Sequence, residues 1–386
     1  MRFIGLSVIL MLFKLLPAQE VLMVLLYNDI KVNKAYFTFR DVGGMIEGEQ
    51  LSFINSSPED TFRLRIHQGK IELRNSDGIL GNFTKLTIQC NNEDNLIRLQ
   101  PLPVLRIYND YPDKLIIDVV NGKLRFVNHV ELEKYLTGVL KGEAGLDKEV
   151  ELYKVHAVIS RTYAIKNKAK HRSEGFNLCD QVHCQVYKGY WGHYEPIMQG
   201  VQSTIGEVLI DPQGSLIDAL FHSNCGGRTV NSEDVWSGKL NYCRSQPDSF
   251  CFYMKNAEWE KEMSLNDFQI YLQKAHAVGL NQATENDTAY IYQSPERQTH
   301  WHLNGKRISF KQMRGDLELK STFFDIYQAG NTIRLIGKGF GHGVGLCQEG
   351  AMCMAEYGFD YRQIIKHYYQ GVQLKSLKPA APSNDF

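Results

Sequence analysis

From Val21 onward the chain divides by the period of its hydrophobic positions. As far as Val127 these positions fall in short runs with alternation or β-branched content: V-L-M-V-L-L, A-Y-F-T-F, F-R-L-R-I, K-I-E-L, K-L-T-I-Q-C and K-L-I-I-D-V-V. Turn signals at Gly43-Gly44, Asn75-Ser76-Asp77-Gly78 and Asn121-Gly122 separate them, so the pattern predicts strands. Asn121-Gly122, between I-D-V-V and K-L-R-F-V, predicts a two-residue hairpin. At Val130 the period changes. Leu132, Leu136, Val139 and Leu140 recur at helical spacing, and Gly142 is read as the stop of that helix. Asp147 is the candidate N-cap of a second helix, which should bury Val150, Val155, Val158 and Ile159, with Tyr163 at its margin. Lys148, Glu149, Glu151 and Lys154 would then face solvent. A further helix is predicted over roughly 265–277, followed by mixed strands to about 326. The fold class expected is α+β, a mixed β core with helices grouped around the Glu143 segment.

Composition narrows the field. A chain of 386 residues is long enough for one large or two domains. Its formal net charge of zero removes any bulk electrostatic reason to expect nucleic acid or an anionic membrane as partner. Residues 1–18 read as a signal peptide: Arg2 is the basic start, Ile4 to Phe13 the apolar run and Pro17-Ala18 the small-residue exit. A buried first strand is the other reading of this stretch, which is too short for a transmembrane anchor. With no other segment apolar enough to span a bilayer, the protein is expected to be exported to the periplasm or cell envelope and not to be an integral membrane protein. Its eight cysteines would then meet an oxidising compartment, where disulfides persist. Cys243 and Cys251 flank a loop that a disulfide could close, whereas Cys347 and Cys353 lie too far apart along a helix for an internal bridge.

Four stretches carry candidate chemistry. Glu143 sits at the break between the two helices, beside Gly142, Ala144 and Gly145, which leave room for a ligand. Cys179 and Cys184, with His171 upstream and His183 adjacent, form a thiolate and imidazole set suited to tetrahedral zinc. A Cys179–Cys184 disulfide accounts for the same two cysteines equally well. Glycine-rich turns complete the set: F-H-S-N-C-G-G-R-T, with Val235-Trp236 after it, and G-K-G-F-G-H-G-V-G-L-C-Q-E-G-A. The second fits neither a P-loop nor a dinucleotide fingerprint, so phosphate binding is rejected. His342 is its candidate cleft-facing residue, and His222, Ser223 and Thr229 offer hydrogen bonds for sugar hydroxyls.

The segment from Val130 to Ala164 resembles the SpoIID/LytB family, through Glu133, Tyr135, Leu136, Gly138, Val139, Glu143, Ala157, Val158, Arg161, Thr162, Tyr163 and Ala164. The C-D-Q-V-H-C-Q-V-Y-K-G, H-S-N-C-G-G and G-F-G-H-G-V-G-L-C-Q stretches resemble that family's later motifs. The resemblance runs from near Tyr111 to about Tyr369. Beside the signal peptide (1–18) and the N-terminal β-rich region (19–110) read from the pattern, it implies a catalytic domain (111–372), which leaves a C-terminal tail (373–386).

The resemblance also implies a peptidoglycan lytic transglycosylase that cleaves between N-acetylmuramic acid and N-acetylglucosamine and leaves anhydro ends. Glu143 would be the catalytic acid, with glycan strands as substrate. Arg161, Tyr187, His222, Ser223, Lys338, His342 and Gln348 are the candidate substrate-binding residues. His171, Cys179 and Cys184 are the candidate ligands of one zinc ion, structural or close to the active site, with His183 as the substitute histidine. No organic cofactor is expected. Ordinary glycosidases use two carboxylates, and here Glu133, Asp147 and Asp180 are the near candidates for a second, hydrolytic one. A zinc-dependent amidase, and a catalytically silent glycan-binding module that activates a cell-wall amidase, are the other readings.

Overall fold

The structure, a computed structural model, describes residues 20–377 apart from 50, 56, 59, 93, 104–107 and 279–289. The signal peptide expected at 1–18 lies outside these residues. The alternation read in the first third becomes inward and outward faces. Ala35, Phe37 and Phe39 are buried along one strand, Phe62 and Leu64 along the next, and Leu115 and Ile117 along a third. Twelve strands between Val21 and Glu131 contribute to a seven-stranded and a six-stranded sheet. Their buried residues share one core. Phe37 stacks on Phe62 within it, ring centroids 4.9 Å apart. The hairpin expected at Asn121-Gly122 is present. Val120 pairs with Lys123, and both turn residues take positive φ (50° and 69°), as a type I′ turn requires.

Seven α-helices follow among the described residues: α1 (Leu132–Glu143), α2 (Val150–Lys166), α3 (Glu195–Gln202), α4 (Leu265–His276), α5 (Phe310–Asp316), α6 (Gln348–Glu356) and α7 (Tyr361–Tyr368). The architecture is α+β. α2 is the pivot, because it is buried nearly all round. Tyr153, Ala157 and Ala164 enter the β core, while Leu152, Val155, Val158 and Ile159 enter a second core with α6 and α7. Trp259, Phe268, Ile326 and Leu335 centre a third, smaller core built from α4, α5 and nearby strands. No helix among the described residues is long and apolar enough to cross a membrane.

The boundary placed between 110 and 111 falls inside the strand Asn109–Pro112. The seven-stranded sheet also crosses it. Val21–Leu26 pairs antiparallel with Lys123–Glu131 and parallel with Leu178–Cys179, so the first strand is built into the same sheet as the segments that bear the candidate site. The stretch placed in a C-terminal tail begins as a strand, Gln373–Ser376, paired with Glu207–Ile210.

Two local readings are corrected. Gly142 does not stop α1, which continues through Glu143. It is needed for close approach: a Cβ there would lie 2.2 Å from the Val186 carbonyl oxygen, and one at Gly138 would lie 1.8 Å from that of Gly189. Residues 186–189 thus lie flat along α1. Asp147 does not cap α2 either. It takes a positive φ of 57° in the connecting loop and accepts a hydrogen bond from the Tyr194 hydroxyl (3.0 Å), while Glu149 occupies the N-cap position without a side-chain cap.

Candidate active site

Glu143 is the last residue of α1 and is half-buried. Its Oε1 accepts a hydrogen bond from the Val186 backbone N–H (2.8 Å). Its own carbonyl oxygen, left unpaired by the end of the helix, accepts one from the Gln348 side-chain amide (2.6 Å). Burial pushes the Glu143 carboxyl above its ordinary value, and the Val186 N–H offsets this in part. The C-terminal end of the α1 dipole also opposes a negative charge there. Oε2 has no hydrogen-bond partner among the described residues. The result is a carboxyl held by one oxygen, biased toward its acid form, with the other oxygen left for a ligand.

The three carboxylates considered as partners for Glu143 are engaged elsewhere. Glu133 forms a bidentate pair with Arg161 (2.9 and 2.6 Å). Asp147 binds Tyr194. Asp180 accepts from the Tyr27 N–H (2.7 Å) and from the Gln181 amide (3.0 Å).

The loop that supplies the Val186 N–H also carries the first cysteine cluster. His171, Cys179, His183 and Cys184 bring their ligand atoms within 4.8 Å of one another. Both histidines are therefore present, where the sequence assigned His171 and kept His183 as a substitute. Cys184 Sγ lies 3.5 Å from His171 Nε2 and 3.7 Å from His183 Nδ1, and Cys179 Sγ lies 3.8 Å from His183 Nδ1. A tetrahedral zinc with bonds of about 2.3 Å to sulfur and about 2.0 Å to nitrogen sets these atoms roughly 3.5 Å apart, so the four side chains fit that ion. The two cysteines are free thiols and not joined to each other. The Cys179 hydrogen bond holds the Cys184 thiol down at about 6, with Lys170 acting the same way, which favours a thiolate. Glu174 accepts from His171 Nδ1 (2.6 Å), the outer carboxylate that commonly orients a ligating imidazole. Cys179 is fixed by its parallel pairing with Leu25.

Arg161 and Tyr187, both candidate substrate-binding residues, are interior. Arg161 is fully buried. Besides Glu133 it reaches the carbonyl oxygen of Glu207 (3.1 Å), which ties α1 and α2 to the strand Glu207–Ile210. Tyr187 is buried against Tyr135 and donates to Asn128 Oδ1 (3.0 Å). Both hold the scaffold. Membership of a motif did not reveal that they lack a free face.

The two glycine-rich motifs meet. Phe221–His222 pairs in parallel with Leu346–Cys347, which places His222 beside His342 with ring centroids 5.4 Å apart. His342 lines a pocket of about 540 Å³ with Trp236, Arg297, Lys311, Arg314 and Thr322. Its ring lies 4.9 Å from Trp236. Its Nδ1 accepts from the Val344 N–H (3.0 Å), so the neutral ring carries its proton on Nε2, and burial lowers its pKa to about 4. His222 is buried and donates from Nδ1 to the Val344 carbonyl (3.1 Å). The Ser223 carbonyl accepts the Glu349 N–H at the start of α6 (2.9 Å). Lys338 is exposed and lines a neighbouring cleft with Gly226, Gly227 and Arg297. Glu143 is not among the lining residues of the His342 pocket. Of the late-motif residues, Gln348 is the one that reaches the glutamate.

Some groups were not legible in advance. The Val186 donor is a backbone group with no residue signature. Arg297 lies outside every motif. Trp236 stood within a motif, and only its position on the pocket wall shows its use.

What these parts define is an α+β protein with a single-glutamate site at a helix end, braced by a Cys/His loop and a glycine-rich loop. Comparison with known proteins places the chain in a family. The profile of the family described as Stage II sporulation protein (SpoIID) matches residues 120–210, a span that holds Glu143, Arg161 and the first cysteine cluster. Stage II sporulation protein D of Bacillus amyloliquefaciens is 31% identical over 265 residues, covering 64% of this chain and 75% of its own. An uncharacterized protein of Brachyspira hyodysenteriae is 31% identical over 274 residues, covering 69% of this chain and 72% of its own. The amidase enhancer of Bacillus subtilis is 26% identical over 367 residues, 82% of this chain and 50% of its own. The chain belongs to the SpoIID family.

Proposed function

We propose that the protein acts on the cell wall as a peptidoglycan lytic transglycosylase, with Glu143 as its one acid–base group. The observation that carries this reading is the Glu143 carboxyl itself: raised by burial, pinned through Oε1 and open at Oε2, while Glu133, Asp147 and Asp180 are occupied. One carboxyl suffices for a transglycosylase, because no water has to be activated. Glu143 gives its proton to the leaving glycosidic oxygen. As carboxylate it then takes the proton from the muramyl hydroxymethyl group, whose oxygen closes the anhydro ring. Breaking the glycosidic bond and forming the ring bond leaves the carboxyl protonated again, so the cycle balances.

Zinc belongs to this reading as a brace. His171, Cys179, His183 and Cys184 would hold one ion, which would stiffen the loop that ends at Val186 and so fix the N–H on Oε1. An exported location in the cell envelope agrees with a glycan-strand substrate. A second reading draws on the amidase enhancer among the relatives: a glycan-binding module that activates a cell-wall amidase and leaves Glu143 unused.

Mass spectrometry of products from purified glycan strands tests the proposal. Wild-type protein should release anhydro-ended fragments, and Glu143→Gln should release none. Reducing ends would indicate hydrolysis. Intact strands with wild-type protein, together with faster release of stem peptides by an added amidase, would favour the module.

A further inference from the structure

A second cluster of soft ligands shares no residue with the first cysteine loop. Cys225, Asp248, Cys251 and Cys347 bring one ligand atom each within 4.8 Å of one another, and all four are buried. They come from three segments: the H-S-N-C-G-G turn, the loop after Pro247, and the strand Leu346–Cys347 that opens α6. Sequence offered no hint of this set, since it pairs Cys251 with Cys243 in a loop, while the fold turns Cys251 toward Cys225 instead. Their sulfurs stand 3.4 Å apart, and the Cys225 thiol also faces Asp248 Oδ2 at 3.3 Å. Cys347 Sγ accepts the Cys225 N–H (3.3 Å).

We infer that Cys225, Asp248, Cys251 and Cys347 form a second, structural zinc site. Three observations converge on an ion. A disulfide between Cys225 and Cys251 would leave the Cys347 thiol and the Asp248 carboxylate buried against it without a purpose, whereas a tetrahedral ion uses all four groups. Asp248, 1% exposed, takes part in no ion pair among the described residues; its oxygens receive the Tyr368 hydroxyl (3.0 Å) and the Phe250 N–H (3.1 Å). A buried carboxylate with no cation is costly, and a metal supplies the missing charge. Compensation for the excess negative charge of such a donor set is also present. The Arg297 guanidinium donates to the Cys225 carbonyl (3.0 Å), and Cys347 stands at the N-terminus of α6, the positive end of its dipole. A polynuclear iron–sulfur cluster would spread its sulfur ligands further than this set allows, so the site takes a single soft divalent ion. The ion fastens the H-S-N-C-G-G turn to the base of α6 at the residue next to Gln348.

The test is a zinc count on the purified full chain, with a peptide map of the unreduced protein. Cys184→Ser breaks the first cluster and should leave one zinc per chain. Adding Cys347→Ser should take that to none. If the double variant does not fold, the zinc X-ray absorption spectrum of Cys184→Ser decides, because it should show three sulfurs and one lighter ligand. A Cys184→Ser protein with no zinc, a shell of fewer than three sulfurs, or a mapped Cys225–Cys251 disulfide overturns the proposal. None of these results depends on whether Glu143 cleaves glycan.

Discussion

The end of α1 and the middle of α2 carry charged residues of the same motif and put them to opposite uses. At the end of α1, Glu143 keeps one oxygen unpartnered among the described residues, and burial makes its charge unwelcome. In the middle of α2, Arg161 is fully buried, yet bidentate pairing with Glu133 and the carbonyl of Glu207 satisfies its guanidinium. One residue is a partly buried carboxyl held through a single oxygen. The other is completely paired and therefore structural. Partner count and exposure separate the two roles, and a motif match cannot.

Exchanging the two residues' tests gives the largest effects. Glu143→Gln should lower glycan cleavage by about a hundredfold to ten-thousandfold and leave the thermal midpoint within a degree or two, since no ion pair is broken. Arg161→Ala should destabilise the fold by about 3–5 kcal/mol, read by denaturant titration, because it leaves Glu133 facing a buried gap. Catalysis in whatever remains folded should persist. An Arg161→Ala protein of wild-type stability that fails to bind glycan strands would return Arg161 to the substrate surface and undo the comparison.

Acid sharpens the contrast, because α2 also buries His156. Neither of its ring nitrogens has a partner among the described residues, and burial lowers its pKa to about 4. The unfolded chain therefore binds this proton more readily than the folded one. The stabilisation from a neutral His156 is complete above roughly pH 6.5 and is lost as pH falls toward about 4, a change of about 3 kcal/mol. Glu143 has the opposite sign. Its raised value means that lower pH fills the acid form, so the cleavage rate should decline as pH rises above its pKa. Cleavage should thus climb on mild acidification while stability falls. Replacing His156 with Phe should flatten the stability limb alone, and a stability curve unchanged by that substitution would remove His156 as its cause.

The close approach on α1 comes next. Gly142→Ala puts a methyl where the Val186 carbonyl oxygen already lies, so the loop must move. Overpacking of this kind costs about 1–3 kcal/mol, and a shift in the Val186 donor should lower turnover by roughly tenfold or more. Had Gly142 been a helix stop in the left-handed region, alanine would have cost about 1 kcal/mol through the backbone alone and left the Val186 donor in place. The difference shows what sequence can carry. Periodicity placed α1, α2 and the strand hairpins correctly, because those signals are local. Gly142, Asp147, Arg161 and Tyr187 were misread because their roles depend on residues 28 to 59 positions away, such as Val186, Tyr194, Glu133 and Asn128. Glu143 was legible from its place at a helix break and from the family motif. Its Val186 partner was not, being a backbone group brought in by tertiary folding. The second cysteine cluster was hidden for the same reason, with Cys225 and Cys347 separated by 122 positions.

The smallest effect belongs to Gln348, the late-motif residue that touches the α1 end. Read from sequence it binds substrate, and then Gln348→Ala should raise KM. In the structure its amide donates to the carbonyl oxygen of Glu143, so it positions the helix terminus. One hydrogen bond of this kind is worth about 0.5–1.5 kcal/mol, which predicts a kcat reduced by about threefold to tenfold with KM unchanged. Gln348→Glu separates the two accounts further. A carboxyl can donate to that carbonyl only when protonated, so this variant should approach wild-type turnover in mild acid and lose it toward neutral pH, where the carboxylate faces the carbonyl dipole. Gln348→Ala has nothing to protonate, and its deficit should stay constant across the same range. Parallel pH profiles for the two variants, or a KM that rises with kcat intact, would move Gln348 from the helix end to the glycan.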